Sequence, residues 1–77
     1  MGKSNLIRKI SLSLDKLRKS ERKVAKYILT APEEIISMRI IDLANGAKVS
    51  EPTVMRFCHA LDFDGFQAFK LELAQLL

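Results

Sequence analysis

Apolar positions recur at helical spacing along nearly the whole chain. Between residues 4 and 17, Leu6, Ile7, Ile10, Leu14 and Leu17 mark one face of an amphipathic helix. Ser11 and Ser13 lower its propensity slightly. Leu12 falls off the stripe, either simply exposed or placed to meet a partner subunit. A second helix is predicted from Glu21 to Thr30, with Ser20 as its cap and Glu21 at the positive end of its dipole. Val24, Ala25, Ile28 and Leu29 form its inward face, and Tyr27 belongs at the edge with its hydroxyl in solvent. Ala31 ends this helix because a residue before proline avoids the helical region. Pro32 then opens a single helical turn to Ile36, with Glu33 and Glu34 at its start and Ile35 and Ile36 over the core.

The segment from 40 to 63 organises the rest. Residues 37–47 read as one short helix, with Ile40, Ile41, Leu43, Ala44 and Ala47 apolar, Ser37 as a candidate cap, Asp42 early and Gly46 late or just past its end. Lys48 and Val49 form a turn. A second short helix over 51–61 follows, capped by Ser50, with Pro52 in the first turn where a missing amide does little harm. Val54, Phe57, Cys58 and Leu61 share its buried face at i, i+3, i+4 and i+7 spacing. Two short helices around a tight turn have the form of a helix-turn-helix, whose second helix enters the DNA major groove. After a break at residues 62–65, a last helix from Gly65 to about Leu76, with Asp64 as its cap, turns Phe66, Phe69, Leu73 and Leu76 inward. The pattern contains no strand signal, and predicts an all-α, compact bundle of about five helices.

Length and composition agree with one small domain. The 77 residues carry an apolar fraction of 48%, ordinary for a folded chain. Charges interrupt the apolar residues too often for a membrane span, which needs ~20 consecutive residues. The first residues lack the apolar core of a secretory signal. Cys58 is the single cysteine, so no internal disulfide forms, which fits a reducing, cytoplasmic setting. Net charge is +4 but unevenly spread. Residues 1–30 hold nine basic and two acidic side chains, and residues 31–77 hold four basic and seven acidic. A basic half suits a polyanionic partner as well as it suits a plain solvated face. It is not the half that holds the helix-turn-helix.

Candidate chemistry lies on the second helix of the motif. With its apolar face inward, Glu51, Pro52, Met55, Arg56 and His59 point outward, with Thr53 at the margin. Arg56 is the leading candidate to read a base, because its guanidinium pairs bidentately with guanine or holds a phosphate. Thr53 suits a phosphate, a thymine methyl or a local cap, and Glu51 a cytosine amino group or merely the helix dipole. His59 lies one turn further on. Lys48 in the turn, Arg39 at the start of the preceding helix and Lys70 on the last helix are the candidate phosphate anchors. Cys58 and His59 are adjacent and point roughly 100° apart on a helix, so they make no nucleophile–base pair. No second ligand set for a metal and no glycine-rich phosphate loop is present, and neither an enzyme activity nor a cofactor is expected.

The stretches SERKVAKYIL and IIDLANGAKVSEPTVMRFCHALDFDGFQAFKLELA resemble the N-terminal DNA-binding domain of RpiR-family transcriptional regulators, most specifically from Val49 to Lys70. Within that family the chain is most similar to HexR-type regulators of hexose catabolism. The resemblance implies a homeodomain-like helical domain that binds a palindromic operator in double-stranded DNA as a homodimer. It also implies a C-terminal SIS domain, outside these residues, that senses a phosphorylated sugar. By position, Ser50, Glu51, Thr53 and Arg56 match the start of the family's recognition helix, and Lys70 matches its Phe-Lys pair. Two positions depart from the family pattern: Asp62 stands where glycine usually follows the recognition helix, and Arg39 stands where serine usually starts the helix before the turn. Asp62 is expected to carry a small conformational cost, with Ser37 or Asp42 compensating at the other site. Two alternatives remain, a helical protein-interaction or dimerisation module and, ranked last for want of an aromatic anchor, a basic helix lying on a membrane.

Overall fold

Each apolar stripe becomes a buried helix face in the computed structural model, which describes residues 6–76. The helices are α1 (Leu6–Ser13), α2 (Lys19–Thr30), the single turn α3 (Pro32–Ile35), α4 (Ile40–Ala47), α5 (Glu51–Ala60) and α6 (Phe66–Leu76). Among the described residues there is no strand. Helices α2, α4 and α5 pack on one another as a three-helix unit, α1 lies against α2 and α6, and α6 closes over α5 and α3. Val24, Ile28, Leu43, Val54, Phe57, Leu61, Phe69 and Leu73 fill the centre. Phe69 meets Phe57 and Phe63 edge to face, with ring centroids 5.6 and 5.5 Å apart, and so fastens α6 to α5 and the turn after it.

The helix starts differ from expectation in a consistent way. Ser20 lies inside α2 rather than capping it, because the helix begins two residues earlier than predicted, at Lys19. The free amide at its start belongs to Arg18 and donates to Glu21 Oε1 at 3.4 Å. Helix α4 repeats the arrangement. Arg39 holds the cap position, and its N–H donates to Asp42 Oδ2 at 3.0 Å. Ser37 instead donates to the Glu34 carbonyl, so Asp42 supplies the compensation. In both cases an acid three residues into the helix reaches back to the cap amide, which is half of a capping box. That amide is the main cause holding the Asp42 carboxyl below its ordinary value, followed by the Arg39 side chain. The stabilisation it gives is complete above the ordinary Asp range and is lost as pH falls through the lowered value. Ser50 alone caps as read, accepting the Thr53 N–H at 3.3 Å.

Both helices of the motif end alike. Lys48 (φ 62°) and Asp62 (φ 71°) take the left-handed conformation. After α4, Lys48 N–H bonds Asn45 O and Val49 N–H bonds Ala44 O. After α5, Asp62 N–H bonds His59 O and Phe63 N–H bonds Cys58 O. These are Schellman closures with non-glycine residues at the strained position. The first helix is shorter than its apolar stripe implied, with Leu14–Lys16 tightening into a 3-10 turn. Its predicted start at residues 4 and 5 falls outside the described residues. Helix α6 begins at Phe66, where the Gly65 carbonyl accepts the Phe69 N–H.

Gly46 serves packing rather than the turn. It sits within α4, and a Cβ there would lie 2.5 Å from the Tyr27 ring, which is half-buried across it rather than at an open edge. Alanine normally favours a helix over glycine by about 1 kcal/mol. Here Gly46→Ala is expected to destabilise by about 1 kcal/mol net, because overpacking costs about 1–3 kcal/mol. In a Tyr27→Ala background the same substitution should stabilise. Thermal unfolding of the four combinations checks the change of sign.

Candidate nucleic-acid interface

The exposed face of α5 is set by what its other faces bury. Val54, Phe57 and Cys58 are sealed in the core, leaving Glu51, Pro52, Arg56, His59 and Ala60 outward and Met55 half-buried at one margin. Met55, Arg39 and Lys70 line one open depression with Ile40, Phe66 and Gly65, between the starts of α4 and α6 and the side of α5. On the opposite margin stands the beginning of α2, where Arg18 and Lys19 are exposed. Part of the basic first half of the chain therefore sits beside α5, which the sequence could not place.

The anchor candidates differ in what already holds them. Lys70 Nζ donates to the Met38 carbonyl at 2.6 Å and lies 5.0 Å from the Phe66 ring centre, so it fastens α6 to the segment before α4 rather than pointing freely outward. The Arg39 guanidinium is exposed but paired with Asp42 at 3.3 Å. His59 Nε2 lies 3.1 Å from the Asp64 carbonyl, which ties the end of α5 to the next loop. Lys48 stands exposed in the turn, and Ser50 and Glu51 are exposed at the start of α5. Lys9 is spent elsewhere. Its Nζ donates to the Leu61 carbonyl at 2.9 Å and lies 3.8 Å from Asp62 Oδ2. There a cation offsets both the negative end of α5 and the unusual Asp62.

Thr53 takes the local role that stood among its readings, and Glu21 has one that its reading did not include. Thr53 is buried, and its Oγ1 accepts from Arg56 Nη2 at 3.1 Å while lying 3.0 Å from Ser50 Oγ. It faces the protein, not solvent. Glu21, read only as a dipole partner, is buried, and its Oε2 lies 3.7 Å from Arg56 Nε. The three-residue spacing from Arg18 to Glu21 matches a capping box, but no local pattern marks the carboxylate as facing α5. Burial pushes the Cys58 thiol up to about 12, so it is expected to resist alkylation at pH 8 in the folded chain and to react promptly once denatured. Prompt labelling without denaturant contradicts its placement in the core. Among the described residues no group of His, Cys, Asp and Glu gathers at metal-binding distance, and no helix is long and apolar enough to cross a membrane.

This geometry, a three-helix unit with an exposed, arginine-bearing second motif helix, has close counterparts. The family described as "Helix-turn-helix domain, rpiR family" matches residues 4–77. The chain belongs to the rpiR family of helix-turn-helix domains. It is 52% identical over 73 residues to the HTH-type transcriptional regulator HexR of Escherichia coli, covering 95% of this chain and 25% of that protein. It is 44% identical over 71 residues to Bifunctional protein glk of Paraburkholderia xenovorans, covering 92% of this chain and 11% of that protein. The crystal structure of the N-terminal domain of ybbH from Bacillus subtilis superposes with a TM-score of 0.86 at 35% identity, over 90% of this chain and 84% of that one. The chain thus spans about a quarter of HexR's length. Within the matched residues, α4 and α5 are the two short helices joined by a tight turn, and the left-handed Lys48 stands in that turn.

Proposed function

We propose that the chain is the sequence-specific DNA-binding domain of a transcriptional regulator of carbohydrate metabolism, with α5 as the helix that enters the major groove. The observation that carries this reading is the exposed face of α5, where Arg56 stands half-exposed between the starts of α2 and α5. Arg56 and Glu51 face base edges, while Lys48, Arg39 and the hydroxyl end of Ser50 approach the flanking phosphates. Met55 and His59 border the same groove, and Thr53 and Lys70 support it from within. The identity to an HTH-type transcriptional regulator supports a whole protein that acts on DNA, and that protein is proposed to do so in the cytoplasm, as a homodimer on a palindromic operator. One domain then reads each half-site, about one helical turn apart. A C-terminal SIS domain binding a phosphorylated sugar completes the proposed architecture. The function of the domain itself is binding, with no catalytic step.

The test is a salt titration on duplex DNA and on anionic vesicles in parallel. Duplex binding that weakens steeply as salt rises, with feeble vesicle binding, supports the reading. Strong vesicle binding favours a membrane-surface role, and binding to neither favours a protein-interaction module.

A further inference from the structure

Arg56 is gripped from inside the protein along one edge. Glu21 is the one acidic residue buried among the described residues, with its side chain 8% exposed. One oxygen receives the Arg18 amide, and the other stands 3.7 Å from Arg56 Nε. Arg56 Nη2 donates to Thr53 Oγ1, which in turn meets the capping Ser50 hydroxyl. A chain of polar contacts thus runs from the start of α2 to the start of α5 and passes through the guanidinium. The arginine side chain itself is still 55% exposed.

Guanidinium geometry gives this arrangement a consequence. The group is a rigid planar fork of five N–H donors. Nε lies toward Glu21 and Nη2 bonds Thr53, while Nη1, on the outer edge of this half-exposed fork, makes no hydrogen bond among the described residues. That edge matches a bidentate pair of acceptors such as guanine O6 and N7. A buried carboxylate also offsets the arginine's charge, so attraction to any phosphate is weakened while directional hydrogen bonding is kept.

We propose that Glu21 is a positioning residue for specificity: it fixes the Arg56 fork for base reading and suppresses sequence-independent attraction to the DNA backbone. The inference rests on the proposed DNA-reading role of α5. Removing the charge while keeping the shape separates its two effects. Glu21→Gln is expected to raise affinity for a scrambled duplex and to steepen its salt dependence by about one released counterion, a slope change near 0.9. The affinity ratio between a duplex selected from a random library and the scrambled duplex should fall about tenfold. Thr53→Val, which loosens the fork from its other side without changing charge, should lower that ratio and leave the slope unchanged. Glu21→Asp keeps the charge on a shorter arm, and should retain the slope while losing part of the ratio.

The experiment measures the full chain and these variants by fluorescence anisotropy on both duplexes across salt, with circular dichroism confirming the fold of each. If Glu21→Gln does not fold, Thr53→Val and Glu21→Asp decide. A wild-type ratio retained in every folded variant overturns the inference while leaving DNA reading intact. A wild-type chain that does not distinguish the two duplexes overturns DNA reading and the inference with it.

Discussion

Replacing Arg56 with alanine is expected to weaken binding to a selected duplex by about 1–3 kcal/mol, roughly 5- to 150-fold, and to blur preference at one base position. The outer edge of its fork is the best hydrogen-bonding surface on the exposed face of α5. Pro52 offers no side-chain donor, Glu51 only accepts, and His59 is engaged with the Asp64 carbonyl. Arg56→Lys separates base reading from phosphate attraction. Lysine keeps the charge but has no planar fork, so it should restore much of the sequence-independent affinity and little of the lost preference. The alanine variant also leaves Glu21 buried beside an absent partner, so binding is best compared well below the unfolding temperature. An unaltered preference at every position in the alanine variant removes Arg56 from the reading surface.

Phe69→Ala should have the largest effect on stability, about 3–5 kcal/mol. The ring is fully buried and makes edge-to-face contacts with both Phe57 and Phe63. Its loss opens a cavity at the junction of α5, α6 and the turn between them. A domain of this size falls at the low end of the usual ~5–15 kcal/mol of stability, so much of the population should unfold at 37 °C. Denaturant titration reads this directly, and a loss below about 1 kcal/mol contradicts the central position given to Phe69. DNA binding should recover in step with folding on cooling, because no DNA-facing residue has changed.

The helical architecture was legible because burial imposes a 3.6-residue period on the sequence. Val54, Phe57, Cys58 and Leu61 spaced themselves as a buried stripe and are buried. Phe66, Phe69 and Leu73 behave likewise. Capping was less legible, because it depends on which backbone amide is left free. A two-residue shift in the start of α2 moved Ser20 inside the helix and gave the role to Glu21. Gly46 read as late in its helix or just past the end, and it lies within α4, but the partner that explains it, Tyr27, lies on another helix. The buried stripe of α5 and its outward arginine were visible in the periodicity. The inner contacts of Arg56 and Lys70 were not, because Glu21 and Met38 are brought to them only by tertiary packing. The left-handed Asp62 was anticipated from the resemblance to RpiR-family sequences, and the Lys9 contact that accompanies it emerged only with the fold.

Sequence-specific reading of DNA by α5 is tested most directly by selection from a random-sequence duplex library with the full chain, followed by sequencing of the bound pool. The prediction is enrichment of a short consensus containing a guanine whose preference disappears in Arg56→Ala, with half-sites arranged as a palindrome if two copies bind together. A bound pool with no enriched sequence, or a consensus identical for the wild type and Arg56→Ala, contradicts it.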